Sequence, residues 1–416
     1  MSFDRRLFTM VNWPLIGLTL TLFGIGVLNL YSASGYRMEE GVSLNPFYKK
    51  QLLWGLLSLP GLCLFLIVDY RRFSTMAWPA FVITVLLLAV VPFVGQTAMG
   101  ARRWINVGFF SFQPSEVAKI SVLLLGSLLL SRNQGRLGFQ ELALVLGVFL
   151  IPAVMVVMQP DLGSGLNILL ILGGLILYRG LTTKVFRSLL VGIPALLPLV
   201  WTYLHDYQKR RILTFMDPTV DPRGAGYHII QSQIAIGSGQ IWGKGFMAGT
   251  QSQLRFLPEK HTDFAVAVFG EEWGFVGCLI LVGLFCLFLL SIFTTVRDAR
   301  DRFGSFLAAG VLFHFFWQIC INMGMVLGLM PVVGISLPFI SYGGSAMIVN
   351  GCLIGLVLNI SMRRGSFICE RGGNPVGRTM MLWAIGQKLG WRFAARTIPG
   401  RLGVGRNDHS ETTGTN

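Results

Sequence analysis

Apolar residues fall along this chain in about ten long blocks, at roughly 13–31, 50–68, 76–94, 114–130, 141–158, 162–178, 185–204, 275–295, 303–327 and 341–361. About 17–25 such residues cross the roughly 30 Å of hydrocarbon in a bilayer as one helix. The pattern predicts an all-α, polytopic integral membrane protein of about ten transmembrane helices. The first block has no small-residue cleavage site and more blocks follow it, so it reads as a span, not a signal peptide. Between the blocks, 32–49 and 95–113 are moderate loops. The stretch 205–263 is a long extracytoplasmic loop between helices 7 and 8. Its Gly224, Gly226, Gly237, Gly239, Gly243, Gly245 and Gly249 predict a turn-rich cap with short helices.

Short-loop charge sets the orientation. With the N-terminus inside, the cytoplasmic turns carry Arg5/Arg6, Arg71/Arg72, Arg132/Arg136, Arg179/Lys184/Arg187, Arg297/Arg300/Arg302 and Arg363/Arg364. The outer turns 159–162 and 328–340 carry no Lys or Arg. Both termini are then cytoplasmic. The chain divides into a membrane domain, 1–362, and a basic cytoplasmic tail, 363–416. In the tail, Leu382, Trp383, Leu389 and Trp391 alternate with Arg378, Lys388 and Arg392. Such a segment either lies as an amphipathic helix on anionic membrane lipids or frays.

Composition sharpens this reading. Residues are 53% hydrophobic and 13% charged, against about 25% charged in soluble domains. The net charge of +15 therefore implies no nucleic-acid partner. Cys63, Cys278, Cys286, Cys320, Cys352 and Cys369 show no CxxC pair and read as core filling, and the scattered histidines suggest no metal site.

Four regions carry candidate chemistry. In LRFLPEKHTDFAVAVFGEEWG, residues 254–274, Asp263 falls on the outer side at the start of a short helix. Either it is a carboxylate poised as a general base, or Thr262 or Asp263 caps that helix. In GARRWINVGFFSFQPSEVAK, residues 100–119, Arg102 and Arg103 violate the positive-inside trend and suit an anion such as phosphate. Glu116 and Lys119 lie one turn apart inside the fourth span, as a functional pair or an interface ion pair. In PVVGISLPFISYGGS, residues 331–345, Gly343 and Gly344 break the entry to the last helix and Ser341 or Ser345 can cap it. That helix start favours phosphate, or the glycines serve close packing. Finally, Lys49 and Lys50 are further outer cations. Outer cations and a carboxylate beside a bilayer suggest a lipid-linked anionic substrate.

The runs HTDFAVAVFGEEWG, RRWINVGFFSFQPSEVAK, DPRGAGYHIIQSQIAIGSGQIWGKGF and MPVVGISLPFISYGGSAM together resemble the SEDS family (shape, elongation, division and sporulation), over about residues 12–362. MPVVG followed by SLPFISYGGS favours its elongation branch over its division branch. The resemblance implies ten helices in the bacterial inner membrane and an inverting peptidoglycan glycosyltransferase that polymerises lipid II on the extracytoplasmic side. Asp263 matches the family's essential catalytic residue, and Arg103, Glu116 and Lys119 match charged positions of the same outer cavity. It further implies a class B penicillin-binding protein, a monofunctional transpeptidase, as partner, and Mg2+ as a divalent cation with no ligand set readable here. The alternatives are a lipid II flippase and a division-type polymerase. A flippase keeps its coupling residues near the midplane and is often built from repeats; here the charges gather at the outer edge and no fixed-period repeat exists.

Overall fold

The computed structural model describes residues 10–34, 47–98, 101–106, 111–204, 206–221, 224–254, 256–257 and 261–364. The tail beyond 364, with Cys369, and the N-terminal Arg5 and Arg6 lie outside the described residues. Seven helices come first: α1 (Trp13–Ala33), α2 (Phe47–Ile67), α3 (Arg72–Val94), α4 (Pro114–Arg132), α5 (Phe139–Met158), α6 (Leu162–Arg179) and α7 (Thr183–Tyr203). Short helices α8 (Asp206–Met216), α9 (Ala225–Ser238) and α10 (Thr250–Gln253) follow, then α11 (Ala265–Asp298), α12 (Arg302–Val326) and α13 (Gly344–Met362). Among the described residues nine of these helices, all the long ones except α7, are long and apolar enough to span a membrane. The 21-residue α7 fills the block predicted at 185–204.

Two local features depart from the sequence pattern. The loop 95–113 holds a small antiparallel sheet, β1 (Gln96–Ala98), β2 (Ala101–Asn106) and β3 (Ser111–Phe112), in that order. Gln96 pairs with Trp104, and Ile105 with Phe112. Strand pairing satisfies backbone groups at the edge of a medium that offers them no water, and the motif is too short for its alternation to stand out in sequence. The second feature is α11, predicted from 275 but starting at Ala265. Gly274, at φ 64° and ψ −162°, breaks it into an outer half, Ala265–Trp273, and a long inner half. An L side chain rarely adopts that conformation, so only glycine serves easily.

Lipid tails give helices no hydrophobic reason to associate, so small residues and polar bonds hold the bundle. α13 is buried along most of its length and packs along α2. Asn359 of α13 donates to the Phe65 carbonyl at 2.6 Å. Asn12 and Ser291 exchange two bonds, of 2.9 and 3.0 Å, between the start of α1 and α11. His314 of α12 lies fully buried between Asn167 of α6 (3.1 Å) and Asn350 of α13 (3.3 Å). Leu56, Ile83, Leu86, Leu190 and Val191 point outward from α2, α3 and α7, as lipid-facing positions must. So do Cys63 and Cys286, which corrects the core-filling reading; Cys352 alone of the described cysteines is buried, and all five are free thiols.

The basic turns meet at one end of the bundle. Tyr70 donates to Asp301, Arg364 pairs with Asp298 at 3.1 Å, and Arg363 reaches Asp69 at 3.7 Å and the Ile67 carbonyl at 3.1 Å. The sheet, the turn 159–161, the turn 261–264 and the segment 331–343 belong to the opposite ends of the same helices.

Candidate active site

Asp263 sits in the turn 261–264 that leads into α11 and is half-buried. The helix cap is not Asp263 or Thr262 but Phe264, with no side-chain capping bond. What holds the turn is Asn322, fully buried on α12. Its amide donates to the Asp263 carbonyl at 2.9 Å and to the Ile335 carbonyl at 2.8 Å. The backbone N–H of Tyr342 donates to the His261 carbonyl at 2.8 Å. The turn is thus fastened to the segment before α13 from both sides. The carboxylate lies over Gly334, where a methyl would sit 3.5 Å from Oδ2.

Lys50 joins this neighbourhood through aromatic rings. The His261 ring stacks on Phe47 with centroids 4.0 Å apart, Tyr342 meets Phe47 edge-on at 5.2 Å, and Lys50 Nζ lies 5.7 Å over the same Phe47 ring.

On β2, successive side chains point to opposite faces, and the two arginines divide accordingly. Arg102 is exposed and donates to the Pro92 carbonyl at 3.1 Å, tying the sheet to the end of α3. Arg103 is turned inward, and its Nε is buried without a hydrogen-bond partner among the described residues.

Glu116 and Lys119 form the pair that their spacing predicts, Nζ to Oε1 at 2.6 Å, with side chains 9% and 4% exposed. The second carboxylate oxygen, Glu116 Oε2, is buried without a partner among the described residues. The turn that carries them is fixed by a residue sequence reasoning passed over. Asp161 caps α6 through Ser164 N (3.2 Å) and accepts from Gln113 Nε2 (2.8 Å) and Ser115 Oγ (3.0 Å). Its one signal in the sequence is an acid just before a helix start. Gly163, two residues on, presses against the Val333 carbonyl, so α6 links the Glu116–Lys119 turn to the segment that lies against Asp263.

The glycine–serine segment differs from expectation. Gly343 takes the cap of α13 without a side-chain bond, so neither serine caps it. Ser341 Oγ accepts from Leu337 N at 3.0 Å, and Ser345 Oγ donates to the Ser111 carbonyl at 3.3 Å, joining α13 to β3. Gly344 faces the Trp54 indole, where a methyl would stand 2.4 Å from the ring. Close packing therefore accounts for Gly344, and the hydroxyls of both serines serve local structure.

A divalent cation held by three protein ligands does not fit the described residues. No group of three His, Cys, Asp or Glu among the described residues converges on a point.

Residues 13–366 match the FtsW/RodA/SpoVE family model, described as cell cycle protein. The chain belongs to this family. It is 43% identical over 287 residues to the peptidoglycan glycosyltransferase MrdB of Escherichia coli K12, covering 68% of this chain and 77% of that protein. It is 38% identical over 358 residues to the probable peptidoglycan glycosyltransferase FtsW of Geobacter sp. strain M18, covering 84% of this chain and 95% of that one. Among solved structures, one chain of a peptidoglycan synthase complex, described for its structural coordination of polymerization and crosslinking, matches with a TM-score of 0.72 and 31% identity. That match covers 86% of this chain and 99% of the other. The rod shape determining protein RodA of Thermus thermophilus matches at 0.64 and 29% identity, over 86% of this chain and 98% of that one.

Proposed function

We propose that this member of the FtsW/RodA/SpoVE family is a peptidoglycan glycosyltransferase that polymerises lipid II, an undecaprenyl-diphosphate disaccharide-pentapeptide, into glycan strands during cell elongation. Its 43% identity to MrdB carries the activity and favours the elongation branch. The site's charge distribution supports the mechanism. The acceptor sugar's 4-hydroxyl attacks C1 of the donor with inversion, forming the new C1–O bond as the C1–O bond to the diphosphate breaks. Asp263 takes the hydroxyl proton. The lipid diphosphate leaves as an anion and needs no acid, unlike the leaving group of a glycosidase. Arg103 and Lys119 are the cations for its charge, Glu116 orients Lys119, and Lys50 sits at the rim on the Phe47–His261 stack. Under this reading the protein lies in the bacterial inner membrane with the Asp263 end outward and the basic turns inward. Its partner is a class B penicillin-binding protein that crosslinks the new strands.

The test is Asp263→Asn in the purified protein with its transpeptidase partner, supplied with labelled lipid II. An amide keeps the size but cannot take the proton, and removing a general base costs about 10²–10⁴ in rate. Glycan chains formed by this variant at near wild-type rate refute the assignment. Lipid II moved across vesicles without chain formation by the wild type marks a flippase instead.

A further inference from the structure

We infer that Glu271 and Lys244 are positioning residues for Asp263, because they lock a turn of the 239–251 segment into the break in α11. This rests on the reading of Asp263 as the base. A helix broken at Gly274 releases carbonyls above the break and N–H groups below it. Residues 240–245 meet both sets. Lys244 N and Gly245 N donate to the Glu271 and Glu272 carbonyls at 3.0 Å each. Phe275 N and Val276 N donate to the Gln240 and Ile241 carbonyls at 2.9 and 3.1 Å. The fit leaves no space for a side chain at either of the two facing glycines. A methyl on Gly274 would stand 2.3 Å from Gly243 N, and one on Gly243 2.1 Å from the Glu272 carbonyl.

Side chains then fasten this inserted turn. Glu271 is fully buried, and its Oε1 receives Lys244 Nζ at 2.7 Å, Thr250 Oγ1 at 3.1 Å and the backbone N–H of Gln251 at 3.0 Å. Lys244 Nζ also donates to Thr250 Oγ1 at 2.8 Å. On the next residue, Glu272 accepts from Ser32 of α1. A carboxylate buried on a lipid-edge helix is costly unless paired; here one oxygen takes three donors from a single inserted segment. The outer half of α11 therefore has no continuous helix below it. The inserted segment and Ser32 fix its base, while the Asn29 bond to the Ala265 carbonyl (2.9 Å) and the Asn322 and Tyr342 bonds to the 261–263 turn hold its outer end, so its direction is shared between the two sets of contacts. Asp263 stands at its far end. A nine-residue rod is about 13 Å long, so a tilt of about 5° moves that end by about 1 Å. A misplacement of about 1 Å costs about 10²-fold in rate.

The experiment compares Glu271→Gln, Lys244→Met, Lys244→Arg and Gly243→Ala in the full chain with its partner, using lipid II. The positioning role predicts that Glu271→Gln, Lys244→Met and Gly243→Ala each lower kcat about ten- to a hundredfold, with KM changed less than about twofold. Lys244→Arg keeps the charge and most of kcat. A purely structural role would instead lower the folded yield and leave intact both kcat per folded molecule and the labelling of position 263 described next, and that result overturns the inference. A second readout does not use activity. In a background without native cysteines, the thiol introduced by Asp263→Cys is labelled by an impermeant maleimide with and without Lys244→Met. A changed labelling rate supports the lock, and an unchanged rate overturns it. Changed labelling together with unchanged kcat in Lys244→Met leaves the lock standing and refutes Asp263 as the base.

Discussion

The Glu116–Lys119 pair allows structural and functional roles to be separated by one double-mutant cycle. The two side chains are almost entirely buried at the start of α4, 2.6 Å apart, and Glu116 Oε2 has no partner among the described residues. Removing one member of such a pair strands the other charge in a low-dielectric setting, at a cost of about 3–5 kcal/mol. Lys119→Met and Glu116→Gln should therefore each destabilise the fold, Lys119→Met more, because Glu116 remains a free carboxylate while Lys119 beside a glutamine keeps one acceptor. The double variant has no charge to strand and should recover to within about 1 kcal/mol of wild type, since uncharged replacements of buried pairs are often neutral. Unfolding by SDS titration in mixed micelles measures this. Activity should behave differently. If Lys119 also holds the departing diphosphate, every variant lacking it loses a charged hydrogen bond of roughly 1.5–3 kcal/mol, about ten- to a hundredfold in rate. The double variant should then be stable and slow. A double variant that is stable and polymerises lipid II at the wild-type rate refutes the catalytic role and leaves an ion pair that serves the fold alone.

Arg103→Ala should slow polymerisation about ten- to a hundredfold with little loss of stability, because its Nε has no partner to lose among the described residues; Arg102→Ala, whose bond is to the Pro92 carbonyl, should chiefly loosen the sheet, and equal kinetic effects from the two would contradict their assignment to opposite faces. Single cysteines at 103 and 263 should label with an impermeant reagent from outside the cell and those at 300 and 364 only after permeabilisation; labelling of 263 only from the cytoplasm reverses the orientation. Burial, with Asp301 beside it, pushes the Tyr70 phenol up to about 12; a raised folded pKa gives stability that is whole below the ordinary value near 10 and lost as pH rises toward 12, so Tyr70→Phe should lose stability at neutral pH and show a flatter decline across that alkaline window.

Much of the bundle is legible because the bilayer permits few alternatives. A block of about 20 apolar residues has to be a helix there, and basic turns mark one side, so the helix ends and the gathering of Asp69, Tyr70, Asp298, Asp301, Arg363 and Arg364 at one end follow from the pattern. Glu116 and Lys119 are legible for the same reason, since i,i+3 spacing inside a helix brings them together. What was not legible depends on partners far along the chain. The break at Gly274 is one glycine inside an apolar run rich in glycine, and what makes it a break is a turn thirty-odd residues upstream. The sheet at 96–112 is short, and its pairing with Ser345 through Ser111 joins residues far apart in sequence. Gly344 was open to two readings because a glycine at a helix start suits both an anion and a close neighbour; only the Trp54 ring, from another helix, decides it.

Asp161 and Glu116 show how polar satisfaction sorts buried charges that sequence treats alike. Both are acids near the same end of the bundle, and both are under 7% exposed. Asp161 receives three neutral donors from α4, its cap and α6, with both oxygens engaged, which is the environment of a structural joint. Among the described residues Glu116 has one oxygen on Lys119 and the other without a partner, and Arg103 has a buried donor without one. An unsatisfied buried polar group costs about 1–3 kcal/mol, more where a charge is involved. Two such groups of opposite kind, a donor and an acceptor, lie near the end that carries Asp263 and suit a polar ligand with both acceptors and donors. A lipid diphosphate offers acceptors for Arg103, and the sugar hydroxyls offer donors for Glu116. Under the proposed function the substrate that gives its proton to Asp263 also offers bonds to Arg103 and Glu116, and that coincidence argues for one shared site over three separate features.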